Sequence, residues 1–208
     1  MNALIEIYWQ PCYSYIRLRF QRPHEEAEDL VQGFFSALLQ QQLLARYDET
    51  LGSFRSYLRG CLDHFVLKTQ RDQTRVKRGG GKVGHLDAAD YAASESGTPE
   101  EIFYREWQRQ MFGLAIEDLR RFCEESDRQV RFQIFAQYDL AEAERPDYNQ
   151  LAQTHSLPVT TVTNHLAWAR RELRRLLEQR VASVTPADNE RRREVRLHGR
   201  RGAGTGRR

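Results

Sequence analysis

The stretch PDYNQLAQTHSLPVTTVTNHLAWARRELRRLLEQRV, residues 146–181, reads as a short helix, a tight turn and a long basic helix. Asp147 is placed to cap the first helix, and Gln150, three residues on, completes a capping-box pattern. Leu151 supplies an inward side chain, and Ala152 is small enough for a second helix to approach closely. The turn falls at Ser156-Leu157-Pro158. Pro158 suits the opening turn of the next helix, where no backbone donor is needed. Apolar residues then recur at Val159, Val162, Leu166, Ala169, Leu173 and Leu176. That spacing buries one face and turns Thr160, Thr161, Thr163, Asn164 and His165 outward. A helix-turn-helix reads DNA with the N-terminal end of its second helix. An ordinary helical hairpin fits the same pattern, so the decision rests on the rest of the chain.

The whole chain has 208 residues, 40% of them apolar, with six prolines, which fits a mostly helical protein of one or two domains. No apolar run reaches the length of a membrane span, so no membrane insertion is expected. Glu6 and Pro11 interrupt the N-terminal segment, which therefore does not read as a secretory signal. Cys12, Cys61 and Cys123 are an odd set without close pairing and read as reduced thiols of a cytoplasmic protein. The six histidines show no HxxxH or HExxH spacing. With no nucleophile elbow, phosphate loop or paired-carboxylate site either, catalysis has no support. The chain is expected not to be an enzyme and to need neither a cofactor nor a metal.

The net charge of +3 is unevenly spread. Residues 23–45 carry four acids and no Lys or Arg; residues 64–82 carry six Lys or Arg against one Asp; residues 86–101 carry five acids and no base. The last 24 residues, 185–208, hold eight arginines against three acids. Such blocks suit a protein that touches both a basic protein surface and nucleic acid.

The chain is expected to be all-α, with two small helical domains joined by a flexible linker. The first domain covers residues 1–78. It opens with a helix placing Leu4, Ile5, Tyr8, Cys12, Tyr15 and Ile16 inward, and Pro11 predicts a break or restart in it. A second helix starts near His24, with Glu25, Glu26, Glu28 and Asp29 at the positive end of its dipole, and buries Leu30, Val31, Phe34, Phe35, Leu38 and Leu39. Residues 47–53 read as a loop closed by Gly52. A third helix runs from about Phe54 to Lys77 with Phe54, Leu58, Cys61, Leu62, Phe65 and Val66 inward. Residues 79–97, beginning with three glycines, have little to bury and read as linker. Thr98-Pro99-Glu100-Glu101 opens the second domain, 98–184: a capping threonine, a proline at the first helical position, a glutamate three after the cap. Its first helix buries Phe103, Trp107, Met111, Leu114, Ala115, Leu119 and Phe122. Ser126 is expected to begin the next, with Val130, Ile134, Phe135 and Tyr138 inward. The tail 185–208, basic and rich in Arg and Gly, is expected to be disordered.

Taken together, these motifs resemble a bacterial RNA polymerase sigma factor of the extracytoplasmic-function type. Glu26-Ala27-Glu28-Asp29-Leu30-Val31-Gln32-Gly33-Phe34-Phe35 is similar to that family's region 2 signature, and Gly52-Ser53-Phe54-Arg55-Ser56-Tyr57-Leu58 to the opening of its promoter-reading helix. Leu157 through Arg171 resembles region 4. Lys77-Arg78-Gly79-Gly80-Gly81 looks like a KRGGG signature of one subset of the family. The likeness covers roughly Leu4 to Val181, with the motifs in the family's order.

The resemblance implies a transcription initiation factor that binds core RNA polymerase, recognises a two-part promoter and assists its melting. Glu26, Asp29 and Gln32 would dock on the clamp helices of the polymerase largest subunit. The loop from Tyr47 through Asp48 to Ser53 would accept a flipped base of the minus-ten element. The third helix would lie along the opened strand, with Lys68, Arg71, Arg75, Lys77 and Arg78 at phosphates, Tyr57 and His64 against unpaired bases, and Arg55 among the residues meeting that strand. Thr160, Thr161, Thr163, Asn164 and His165 would enter the major groove at the minus-thirty-five element, while Arg170, Arg171 and Arg174 hold nearby phosphates. The partners implied are core polymerase and promoter DNA, with an anti-sigma factor as a further candidate. The chain departs from the family at Gly33, often glutamate; at Ser156, usually the turn glycine; at Pro158, usually a capping Ser or Thr; and at Trp168, commonly basic. Trp168 either weakens the phosphate grip or packs on a neighbour. Two classes compete: a stand-alone helix-turn-helix regulator acting without polymerase, which has no need of an acidic second helix, and a protein-interaction adaptor with the sigma fold but no role in transcription, which has no need of the basic helix from Lys68 to Arg78.

Overall fold

The computed structural model describes residues 2–40, 43–76, 96–142 and 144–184. Among them there are seven α-helices and no strand: α1 Asn2–Arg19, α2 His24–Gln40, α3 Phe54–Val76, α4 Pro99–Glu125, α5 Gln129–Asp139, α6 Tyr148–Thr154 and α7 Val159–Val184, with short 3-10 turns at Leu43–Arg46 and Glu49–Leu51. The fold is all-α. The KRGGG stretch, nearly all of the expected linker and the basic tail lie outside the described residues, as does the side chain of Arg75. The described chain divides into two compact units between Gln110 and Met111, inside α4.

In the first unit, the periodicity of α1, α2 and α3 converges on one core. Tyr8, Cys12, Tyr15 and Ile16 of α1, Val31, Phe34 and Leu38 of α2, and Leu58, Leu62 and Val66 of α3 have no exposed surface. Rings meet edge to face, Tyr8 against Phe54 at 5.7 Å and Phe34 against Phe65 at 5.8 Å, the geometry that opposed ring quadrupoles favour. The beginning of α4 completes this core: Ile102, Phe103 and Trp107 are buried, and Phe103 meets Tyr15 at 5.9 Å. Tyr15 Oη donates to Asp63 Oδ2 at 3.3 Å, and Arg19 Nε pairs with Asp63 Oδ1 at 3.1 Å.

The break expected at Pro11 does not occur, and α1 runs through it. Proline removes one intrahelical hydrogen bond and crowds the preceding turn. Here Tyr8 and Cys12 are fully buried on either side, and their packing holds the helix in one piece. Gly33 has a packing reason of its own. A Cβ there would lie 3.2 Å from the Phe65 ring, so a larger residue would need that ring to give by a few tenths of an ångström.

α4 starts as its sequence predicts. Glu101 N donates to Thr98 Oγ1 at 3.2 Å, and Thr98 N donates to Glu101 Oε2 at 2.8 Å. The Thr98 amide and hydroxyl hold the Glu101 carboxyl below its usual range. Ser126 does not begin α5; it closes α4. Its amide and its Oγ both donate to Phe122 O, the latter at 2.6 Å. Asp127 then takes a left-handed φ of 55°, and Arg128 N reaches back to Cys123 O at 2.8 Å. This is a Schellman-type ending, which satisfies carbonyls that a helix end leaves open.

The core of the second unit is built by Met111, Ala115 and Leu119 of α4, Ile134 and Phe135 of α5, Leu151 of α6, and Val162, Leu166, Ala169, Leu173, Leu177 and Val181 of α7. The stripe on α7 passes through Leu177; Leu176 is only half-buried. A 3.6-residue period drifts along a long helix, so the buried line moves one residue over. Val130 and Val159, expected inward, are 42% and 39% exposed in the first turns of their helices. Asp118 and Arg180 form a bidentate pair joining α4 to α7, with Nη2 to Oδ1 at 2.8 Å.

Candidate nucleic-acid interface

The hairpin of α6 and α7 forms as its sequence predicts. Gln150 N donates to Asp147 Oδ1 at 2.8 Å and Asp147 N donates to Gln150 Oε1 at 2.8 Å, a complete capping box. Ser156, in the turn, has a φ of 53°. That left-handed conformation favours glycine and is tolerated by a small polar residue. Pro158 sits just ahead of α7, its carbonyl accepting from Thr161 N at 2.9 Å and Val162 N at 3.1 Å.

On α7 the side opposite the buried stripe carries Thr160, Asn164, Arg171 and Arg174, all exposed. Thr163 is exposed, and its hydroxyl donates to Val159 O at 3.0 Å, leaving its methyl and oxygen lone pairs outward. Thr161 and His165 occupy a half-buried shoulder. Arg170 Nε and Nη2 are engaged by Asp139 at 2.8 and 2.9 Å, which leaves Nη1 and the second Nη2 hydrogen for an anion. Beside the turn, Glu144, Arg145, Pro146, Gln150, Gln153 and Thr154 line a shallow polar cleft of about 480 Å³.

His165 Nδ1 is buried without a hydrogen-bond partner among the described residues. Burial lowers the pKa of this imidazole, and the charges of Arg131 and His155 lower it further. A histidine that resists protonation when folded makes the unfolded chain the stronger proton binder. Stability is therefore expected to fall as pH drops below about 6.5, the free imidazole value, and to stop falling once pH passes the depressed folded value. Urea unfolding at pH 7.5 and 5.5 should show this loss in the natural chain and a smaller one in His165→Gln. Equal losses in both would contradict the assignment.

The first unit carries the other expected residues. On α2, Glu26, Asp29 and Gln32 are exposed, opposite the buried Ala27, Val31, Phe34 and Leu38. Glu26 Oε2 lies 3.3 Å from Arg22 Nη1, and Glu28 Oε1 lies 3.7 Å from His24 Nε2. Asp29, at the centre of this face, has no partner among the described residues.

The polar atoms of the following loop largely hold its own shape. Tyr47 Oη donates to Gly52 O at 2.9 Å, Thr50 N donates to Asp48 Oδ1 at 2.9 Å, and Ser56 N donates to Ser53 Oγ at 3.1 Å. The Thr50 hydroxyl and amide hold the Asp48 carboxyl below its usual range. Tyr57 Oη donates to Leu43 O at 2.7 Å, and its ring lies 5.5 Å from that of Tyr47. At the loop's tip Leu51 is 86% exposed, a residue the sequence reading passed over because one leucine in a short polar loop carries no periodic signal. Arg55 lies elsewhere than expected of a strand contact. Its guanidinium stacks on Trp107 at 4.3 Å and Tyr104 at 5.0 Å, inside the first unit. His64, Lys68 and Arg71 are exposed and share one stripe of α3, away from Leu58, Leu62 and Val66.

No protein-family model, curated protein or solved structure matches the chain.

Among the described residues no helix is long and apolar enough to cross a membrane, and no group of His, Cys, Asp and Glu is placed to hold a metal ion. Cys12 and Cys123 are buried free thiols, both pushed up in pKa by burial. The chemistry available at these surfaces is ionic, hydrogen-bonding and aromatic. It suits the binding of polyanions and of a basic protein face.

Proposed function

We propose that this chain is a transcription initiation factor of the extracytoplasmic-function sigma type, a cytoplasmic protein that binds core RNA polymerase, recognises a two-part promoter and helps to open it, without a cofactor and without catalysing a reaction itself. The reading is supported chiefly by the first unit, where an exposed acidic face on α2 accompanies an exposed His-Lys-Arg stripe on α3. A helix-turn-helix that bound duplex DNA alone would need neither surface. Under this reading Glu26, Asp29 and Gln32 meet the polymerase clamp helices. Tyr47, Asp48, Ser53 and Tyr57 shape the loop that receives an unpaired base, and His64, Lys68, Arg71 and Arg75 follow the opened strand. On α7, Thr160, Thr161, Thr163, Asn164 and His165 face the upstream element, with Arg171 and Arg174 on flanking phosphates and Arg170 contributing what Asp139 leaves free.

The docking assignment is tested by Asp29→Lys combined with Gln32→Ala. Both side chains are exposed, so the fold should be unaffected, while a reversed charge opposite a basic face costs several kcal/mol of affinity. Co-purification with core polymerase should be lost from the double variant. A folded double variant that binds core polymerase as tightly as the natural chain would remove this reading and leave the stand-alone regulator.

A further inference from the structure

Trp168 stands on α7 one turn beyond His165, on the same half-buried shoulder. Its ring is the floor of a stack. Phe122 of α4 lies nearly parallel to it at 6.2 Å, with an interplanar angle of 22°. Arg131 of α5 places its guanidinium carbon 4.7 Å from the indole centroid. Arg128 lies 5.5 Å from the same ring and 5.8 Å from Phe122.

Several arginines of this unit are engaged by acids. Arg120, Arg170, Arg175 and Arg180 each pair with a carboxylate. Among the described residues neither Arg128 nor Arg131 has a carboxylate within salt-bridge distance, nor a hydrogen bond from its guanidinium. Two positive groups are thus gathered on one ring with no anion between them. An aromatic face attracts the flat side of a guanidinium, which leaves the N–H groups along its edge free. That edge is the part of arginine that grips a phosphate with two parallel hydrogen bonds.

We propose that Arg128 and Arg131, held on Trp168, bind the DNA phosphates flanking the groove entered by α7. The proposal rests on the reading of α7 as the upstream-element helix and assigns that site two contacts from outside the helix-turn-helix. It also accounts for the aromatic residue at 168: the ring carries no charge, but it positions two, one from α5 and one from the residue just ahead of it. DNA is favoured as occupant because the pair adjoins the same shoulder of α7 as Thr161 and His165, and because Arg131 is near enough for its charge to lower the pKa of His165.

The test is binding of the full chain to a short mixed-sequence duplex, followed by fluorescence anisotropy across a salt series. Each phosphate neutralised on B-DNA contributes about 0.9 to the slope of log K against log salt. Replacing both arginines by glutamine is expected to flatten the slope by about 1.8 and to weaken binding to all duplexes alike, with sequence preference unchanged. Arg128→Gln alone, at an exposed side chain making no hydrogen bond, should flatten it by about 0.9 and decides the matter if the double variant fails to fold. Trp168→Leu keeps both charges and should lower affinity with little change in slope. An unchanged slope in folded Arg128→Gln overturns the proposal, as does a natural chain that fails to bind the duplex. Wild-type affinity in Trp168→Leu overturns the positioning role of the ring. If the glutamine variants lose core polymerase but keep the DNA slope, the pair serves a protein partner and the proposal fails. The outcomes separate from the functional reading: loss of slope in a chain that does not bind core polymerase sinks that reading alone.

Discussion

Trp107→Ala should destabilise the first unit by about 3–5 kcal/mol, the range for removing a large buried aromatic. Trp107 has no exposed surface. One face of its environment is the Arg55 guanidinium at 4.3 Å, and Tyr104 stacks at 5.8 Å. Alanine would leave a cavity and strip Arg55 of its nearest ring. Chemical denaturation followed by a probe in α1–α3 is the measurement. Trp107→Phe should lose much less, because most of the volume and a ring face remain. A loss below about 0.5 kcal/mol for Trp107→Ala, in the range of ordinary surface substitutions, would mean that the start of α4 is not part of this core.

The second large effect concerns base reading. Asn164 and Arg171 lie two turns apart on the side of α7 opposite the buried stripe, and both are exposed. Asparagine can make two hydrogen bonds to adenine, and losing such a pair costs about 1–3 kcal/mol of discrimination. Asn164→Ala is therefore expected to change the upstream sequence recovered from a randomised pool. Arg171→Ala should lower affinity for every sequence without changing the preference, because phosphates carry no sequence information. If Asn164→Ala keeps the natural preference at reduced affinity, α7 is docked on another face.

Local signals carried most of the fold. Both capping boxes, Thr98 with Glu101 and Asp147 with Gln150, form as written, because each needs only residues three apart. The buried stripes of α2 and α3 follow their apolar spacing for the same reason. What sequence did not reveal depends on residues far apart in the chain. Pro11 reads as a break until Tyr8 and Cys12 are seen buried around it. Arg55 reads as a strand contact until Trp107, more than fifty positions away, takes its guanidinium. Ser126 suits the start of a helix as well as its end, and Asp127 in a left-handed turn decides for the end. In the candidate interface the exposure of Thr160, Thr163 and Asn164 follows from period alone, whereas Thr161 and His165, expected outward, are half-buried. The engagement of Arg170 by Asp139 and the gathering of Arg128 and Arg131 on Trp168 were not legible, since each joins α5 to α7 across a fold the sequence does not display.

The most direct measurement of the central claim is in vitro transcription with purified core polymerase, this chain and fragmented genomic DNA, with start sites mapped. The account predicts transcripts that depend on the chain, share a two-part upstream sequence, and disappear with Asp29→Lys combined with Gln32→Ala. Sequence-specific binding of the chain to duplex DNA, with no chain-dependent start site and no association with core polymerase, would contradict it.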